Sequence, residues 1–426
     1  MSELKENPRD IPLESIKAEV AQWLDTNWRI DRPLAEWREL LVDAGWGAPE
    51  WPVEYFGRGY SAAQAEAVAQ VFSDKGAVGV AQGGPGKLAS HTILAHGSEA
   101  QKQKYLRPIL TGEHSWCQLF SEPGSGSDLA GLSTKAEREG DRWRMNGQKV
   151  WNTSAHHADF GLLLARTDWD QPKHQGLSYF LIDMRQPGME VRPLKQMNGH
   201  ASFNEVFMAD AFVEHSDLLG SEGEGWRIAA TTLSIERQGF GLDRSGGRAR
   251  NLEGPIYAEY RAELEIALAP YTWYPQRAGR VDLALPRALQ SGAIKDPQTR
   301  QELARLMCLN KAAGLAAAGA AAKRKSGGNE VIPEGSIGKL AASVIARQAS
   351  HVHTLISGAN AMLSGPESEL DGVVAEVLVS VPAISIAGGT DEIQKNIISE
   401  RVLGLPKEPR FDTGPFRDVP RNLSDG

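Results

Sequence analysis

Three stretches of the chain combine residue types that can do chemistry. The first is Cys117-Gln-Leu-Phe-Ser-Glu-Pro-Gly-Ser-Gly-Ser-Asp-Leu-Ala-Gly131. Gly124 and Gly126 let the backbone come close to a ligand, and Ser121, Ser125 and Ser127 offer hydroxyls and N–H groups of the kind that hold phosphate or ring oxygens. The second, Lys149-Val-Trp-Asn-Thr-Ser154, sets a tryptophan beside small hydroxyl residues, a combination suited to flanking a flat cofactor ring. The third, Gly388-Gly-Thr-Asp-Glu-Ile-Gln394, places two glycines and Thr390 before acidic residues, which suits both a helix cap and a ligand contact at a helix start. Each has a plain counterpart when taken alone: a Ser/Gly turn, a core tryptophan, a capped helix.

The surrounding texture changes twice. Residues 12–113 read mostly helical, with Ile16, Val20, Trp23 and Leu24 at helical spacing and further periodic stretches at 62–72 and 87–96. Between them lies the loop Gly45-Trp-Gly-Ala-Pro-Glu-Trp-Pro52. From about 114 to 220 short apolar or alternating runs (160–165, 177–182, 206–213) predict strands of a small barrel or sandwich. Asn146-Gly147 predicts a hairpin between two short strands within 142–151. After Gly225 the pattern is helical again, over 226–240, the Ala-rich 311–325, 336–356 and 391–403, with an irregular Gly/Pro/charge-rich insertion near 243–296. The expectation is an α+β protein of three domains: a helical one over 1–113, a β domain over 114–222 and a C-terminal helical bundle over 223–426.

Composition narrows the function. The chain has 426 residues, 41% of them hydrophobic, enough for a sizeable core. Its net charge of −8 argues against nucleic acid and anionic membrane surfaces as partners. Two cysteines cannot build a disulfide scaffold or a four-cysteine zinc site, and fit a reducing compartment. The N-terminal stretch, with Glu3, Glu6 and Asp10 and no apolar run, predicts no signal or transit peptide, so a cytoplasmic protein is expected. Gly83-Gly-Pro-Gly-Lys87 fails as a Walker A loop, because Leu88 stands where a magnesium-holding hydroxyl belongs. No G-x-G-x-x-G, G-x-S-x-G or H-E-x-x-H occurs, so a nicotinamide enzyme, a serine hydrolase and a zinc hydrolase are disfavoured, and no metal site is expected.

Together the three segments resemble the acyl-CoA dehydrogenase family, in order and spacing, over nearly the whole chain. Ser121-Glu-Pro-Gly-Ser-Gly-Ser-Asp128 and Asn146-Gly-Gln-Lys-Val-Trp151 are similar to that family's middle-domain flavin motifs. The stretch His96-Gly-Ser-Glu-Ala-Gln-Lys-Gln-Lys-Tyr-Leu-Arg-Pro-Ile-Leu-Thr-Gly112 resembles the end of its N-terminal domain. Gly223-Glu-Gly-Trp226 with Glu236-Arg237, and Gly389-Thr-Asp-Glu-Ile-Gln394 with Glu400-Arg401, resemble its C-terminal four-helix bundle. The resemblance implies FAD, an acyl-CoA substrate, an acceptor such as electron-transfer flavoprotein, and a homo-oligomer or a hetero-oligomer with a related subunit. It implies that Ser121 and Thr153 hydrogen-bond the flavin and Trp151 packs on it, with Gln118, Phe120, Gly126, Ser127 and Asn152 around them. Gly389, Thr390 and Glu392 would lie at the diphosphate and ribityl side, and Ser127, Ser234 and Arg237 would meet the substrate.

The reaction requires a carboxylate to take a proton from Cα of the thioester and a donor to the thioester oxygen. Many members carry the carboxylate just before the Gly-Thr pair, where this chain has Gly388. Isovaleryl-CoA and long-chain dehydrogenases carry it on an earlier helix directly before an arginine, which here is Glu236. The resemblance thus assigns the base to Glu236 and one thioester donor to the Gly388 N–H. Two departures concern the neighbouring subunit's flavin: the family's Arg-x-x-Phe-Gly letters occur only at Arg237-Gln-Gly-Phe-Gly241, too early, and its Gly-Gly-x-Gly is altered to Ser357-Gly-Ala-Asn360. The alternatives are a non-catalytic or half-catalytic subunit of a mixed oligomer, and a flavin oxidase or monooxygenase on the same fold.

Overall fold

The computed structural model describes residues 7–81, 83–237, 252–327, 335–410 and 412–419. Helix α1 (Leu13–Asn27) stacks Ile16, Val20 and Leu24 on one face, and all three are buried. Helix α2 (Leu34–Asp43) buries Trp37, whose indole N–H donates to the Val78 carbonyl at 2.7 Å. Helices α3 (Ala62–Lys75) and α5 (Glu99–Thr111) both open with a Ser-x-x-Gln capping box, Ser61 with Gln64 and Ser98 with Gln101. The Gln101 amide also donates to the carbonyls of Ser216 (2.8 Å) and Leu218 (2.9 Å), which ties α5 to the sheet. Helix α4 (Gly84–His96) packs beside α5.

The middle of the chain forms one sheet from β1 (Trp116–Leu119), β2 (Lys135–Glu139), β3 (Arg142–Thr153), β4 (Phe160–Arg166), β5 (Leu177–Asp183), β6 (Met189–Leu194), β7 (Phe203–Glu214) and β8 (Leu218–Leu219). The order is β6-β7-β3-β2-β4-β5-β8, with β1 parallel to β4. Strands β4 and β5 are buried on both faces, which is why Leu162-Leu-Leu-Ala165 is apolar without alternation.

The Asn146-Gly147 hairpin does not form. Arg142–Thr153 is a single strand, and the turn from β2 lies at Gly140-Asp141, where Gly140 has φ +64°. Gly147 marks a register shift against β7, and a Cβ there would stand 2.5 Å from Thr134 Oγ1. The glycine serves a bulge and a close approach rather than a reverse turn. Asn146 is held instead by Asp210, donating to its carboxylate at 3.0 Å and accepting from its N–H at 3.0 Å.

The described part of the stretch near 243–296, expected to be an irregular insertion, is mostly helical. Residues 238–251, including the end of the helix expected over 226–240, lie outside the described residues. From residue 255 the chain is helical, over Pro255–Leu268, Tyr274–Arg277 and Val281–Gln290. Pro255 and Pro275 sit in the first helical turn, where a missing N–H costs nothing, so their presence does not break the helices. Ile256, Tyr257, Tyr260 and Leu264 join the core of α1, α2 and α3 rather than the C-terminal helices. Farther on, Pro297–Gly327 packs along Gly335–Ser357, with Val281–Gln290 against both. The Ala-rich half of Pro297–Gly327 turns outward in this single chain, and Leu315 is 64% exposed. Asp391–Ile397 ends in a wider π turn, Ile398–Val402. Among the described residues no helix is long and apolar enough to cross a membrane.

Candidate active site

Strand β1 delivers Phe120 and Ser121 to one end of the sheet. There the chain folds back on itself: Glu122 and Ser125 exchange two backbone hydrogen bonds of 3.0 Å around Pro123-Gly124. Glu122 turns inward and accepts from the Ser133 N–H (2.7 Å), the Thr134 N–H (2.8 Å) and Lys149 Nζ (2.9 Å). Lys149 also donates to the Phe120 carbonyl at 3.0 Å. Burial pushes the Glu122 carboxyl up, but Lys149 and the Thr134 and Ser133 donors outweigh it and hold it below the usual range. Two more bonds lay β3 beside this turn: Val150 N–H to the Ser121 carbonyl at 2.9 Å, and the Asn152 amide to the Gln118 carbonyl at 2.7 Å. Ser121 thus lies beside Val150 and Trp151 follows it in the chain, while Gln118 lies beside Asn152, with Thr153 the next residue. Gly126 and Ser127 stand exposed on the rim of the same loop.

A second register shift in β3, between Lys149 and Asn152, puts Trp151 at φ +65°. That conformation disfavours a bulky L-residue, and here it swings the indole off the strand so that 57% of it is exposed. A large exposed ring on a strained strand end suits a flat ring system. Asn152 Oδ1 is buried with no hydrogen-bond partner and adds an acceptor at that end of the sheet.

Helix α6 (Gly225–Arg237) carries the carboxylate. It is pinned by a buried hydroxyl cluster: Thr232 Oγ1 lies 2.9 Å from Thr92 Oγ1 and 3.0 Å from Tyr179 Oη. Tyr179 in turn packs edge-on to Phe120, with centroids 5.7 Å apart. One turn beyond Thr232, Glu236 is half-buried, and Ser234 is buried. Arg237 closes the described part of α6, and its side chain lies outside the described residues.

Beyond Trp151 runs a series of aromatic residues that sequence reasoning missed. Trp151 meets Phe203 edge-on at 5.7 Å, Phe203 meets Trp273 at 6.3 Å, Trp273 meets Tyr274 at 5.2 Å, and Tyr274 meets Tyr271 at 4.9 Å. Arg277 lies over Tyr274 at 3.8 Å, and Trp273 is fixed by donating to Ser202 Oγ at 3.1 Å. Burial pushes both tyrosine hydroxyls up, and the nearby Glu236 charge pushes them the same way. The one local signal for this wall was the crowding of aromatics between Pro270 and Pro275.

The third segment reaches the same neighbourhood from the other side. Gly388 and Gly389 have φ +69° and +87°, and Thr390 caps Asp391–Ile397 by accepting from the Ile393 N–H at 3.3 Å. Gln394 folds back to the Gly388 carbonyl at 2.9 Å, leaving its own Oε1 buried and unpartnered. Asp391 pairs with Arg347 at 2.7 Å and with Lys339 at 3.4 Å. The turn Val381–Ser385, just before this segment, contacts the helix Tyr274–Arg277. Glu392 points outward to Lys395, 3.9 Å away, rather than inward.

With this geometry in view, comparisons with known proteins are specific. The chain matches three family models, "Acyl-CoA dehydrogenase, N-terminal domain" over residues 2–113, "middle domain" over 117–211 and "C-terminal domain" over 279–403. It is 33% identical to acyl-CoA dehydrogenase IpdE1 of Mycolicibacterium smegmatis, over 93% of this chain and 99% of that protein. It is 36% identical to acyl-CoA dehydrogenase FadE34 of Mycobacterium tuberculosis over 86% of this chain, and spans 46% of that longer protein. The ChsE4-ChsE5 complex of M. tuberculosis contains a chain of similar fold (TM-score 0.63, 24% identity, 93% of this chain and 98% of that one). So does the glutaryl-coenzyme A dehydrogenase complex with glutaryl-CoA (TM-score 0.61, 24% identity, 94% and 97%).

Proposed function

The chain belongs to the acyl-CoA dehydrogenase family, and on that premise we propose that it oxidises an acyl-CoA thioester to the trans-2-enoyl-CoA with Glu236 as the base. FAD is the cofactor and supplies the hydride acceptor when bound. Ser121 and Thr153 would hold its ring with Trp151 against it, while Gly389 and Thr390 would serve its diphosphate side. Glu236 accepts the Cα proton. Glu236 is half-buried, and its charge reaches the Tyr271 and Tyr274 hydroxyls. The Gly388 N–H donates to the thioester oxygen, on which negative charge grows as the proton leaves. Ser127 on the exposed rim, Ser234 and Arg237 meet the substrate. Electrons pass onward to an electron-transfer flavoprotein or similar acceptor.

The observation that supports this reading is the aromatic series from Trp151 to Tyr271, whose last two tyrosine hydroxyls feel the Glu236 charge. The test is Glu236→Gln. Turnover with a panel of acyl-CoAs should fall about 10²–10⁴-fold while FAD stays bound and acyl-CoA still perturbs its spectrum. Near-normal turnover would remove Glu236 from the mechanism.

The exposed apolar residues of Pro297–Gly327, Leu315 and Met307 among them, support an oligomer in which a second chain covers that helix. Whether that chain is a copy or a related subunit is read from the mass of the assembly after co-expression.

A further inference from the structure

The segment beyond residue 403, where the match to the family's C-terminal domain stops, returns to the middle domain. Residues 412–419 lie along the loop after β4. The Phe416 N–H donates to the Gln171 carbonyl at 3.0 Å, the Arg417 N–H donates to the Trp169 carbonyl at 3.0 Å, and Pro415 bridges Pro172. Phe416 is 1% exposed and lies against the Arg166 guanidinium, 3.4 Å from carbon to ring centroid. Arg166 is itself buried and donates to the carbonyls of Ala130 at 2.7 Å and Leu132 at 3.1 Å. A few residues earlier, Asp412 pairs with Lys173, and Lys173 donates to Asp128 Oδ1 at 2.8 Å. Arg410 backs Asp412 at 3.1 Å.

Two side chains of this segment thus touch two cations, and each cation holds one end of the stretch 128–132. We propose that Asp412 and Phe416 are positioning residues that clamp the Ser121–Gly131 loop, through Lys173 and Arg166, for cofactor and acyl-CoA binding. The clamp rests on the dehydrogenase reading for its purpose but not for its mechanics. Glu122 and Lys149 anchor the loop from inside the sheet, while Gly126, Ser127 and Asp128 are exposed, and a Cβ at Gly126 would meet no atom within 4 Å. Without the segment, the Arg166 guanidinium loses its ring and Lys173 loses one of two carboxylates. The stretch 128–132 then keeps its buried Leu129, Ala130 and Leu132, but both cations that hold it lose part of their own support.

The experiment uses the full chain with FAD and three variants, Phe416→Ala, Asp412→Asn and the conservative Asp412→Glu. Hydrogen exchange across residues 121–132 should quicken about tenfold in the first two, while Gly335–Ser357 keeps its protection. KM for acyl-CoA should rise about tenfold with kcat within about twofold, because a displaced loop weakens binding without touching the base. Asp412→Glu should stay close to the parent in both readouts. Unchanged exchange at 121–132 in both Phe416→Ala and Asp412→Asn overturns the clamp. If Phe416→Ala does not fold, Asp412→Asn alone decides. Should the parent bind no acyl-CoA, the dehydrogenase reading fails and the exchange measurement still rules on the clamp.

Discussion

Lys149 Nζ stands 2.9 Å from Glu122 Oε1, and the lysine side chain is 0% exposed. These two residues come from two of the motifs that carry the family resemblance, yet neither faces the cofactor cradle. They lock the turn bearing Ser121 to the strand bearing Trp151. A buried charge left without its partner is costly. Lys149→Met should therefore destabilise the protein by about 3–5 kcal/mol and release FAD, whereas a double change of Glu122 and Lys149 to Gln and Met should recover part of that loss. Urea unfolding with flavin fluorescence reads both. Equal stability of Lys149→Met and the parent would show the pair to be idle.

Gly388 offers open space, since a Cβ there meets no atom within 4 Å, but its φ of +69° disfavours any other L-residue. Adding Gly388→Glu to the Glu236→Gln chain should restore part of the turnover. The strained backbone should cost about 1–2 kcal/mol of stability. The kinetic measurement is single-turnover flavin bleaching by acyl-CoA. No recovery in a folded, FAD-loaded double variant would mean that the two backbone positions do not reach the same Cα.

His353 makes stability depend on pH. It is buried, Arg287 Nη1 donates to its Nδ1 at 2.7 Å, and its Nε2 faces the Gly279 and Arg280 carbonyls at 3.2 Å. That network assigns the neutral ring with hydrogen on Nε2. Burial pushes its pKa down and outweighs the upward pull of the hydrogen bonds to the Arg280 and Gly279 carbonyls and of Asp282, while the Arg287 charge adds to the lowering. The unfolded chain therefore takes up a proton near pH 6.5 that the folded chain refuses. Stability should be fully present above about pH 6.5 and fall as pH drops below it. His353→Gln should flatten that slope in urea midpoints taken from about pH 7.5 to 5.5. An unchanged slope would assign the dependence to other groups.

Much of the site was legible because its signals are local. A capping box such as Ser98 with Gln101, a glycine at positive φ such as Gly140, and the spacing within 117–131 all act within one or two turns of chain, so contiguous letters suffice to record them. Asn146-Gly147 misled for the same reason. The two letters suit a hairpin turn, but pairing of β3 with β7 decided their conformation, and that partner lies some sixty residues away.

The sequence by itself determined the three-part order of helices, sheet and helices and the family, and it leaves Glu236 rather than Gly388 to be tested as the base. Tertiary structure alone decided what surrounds that carboxylate. Proline at a helix start and proline in a loop look alike in composition, so Tyr271, Trp273, Tyr274 and Arg277 were hidden in a stretch that read as irregular. Their meeting with Phe203 and Trp151 depends on burying apolar rings from distant parts of the chain against one another. The same holds for Phe416 on Arg166, 250 residues apart in sequence and 3.4 Å apart in space. Burial is non-directional and pools surface from the whole chain, so no single stretch of residues records which others it will cover.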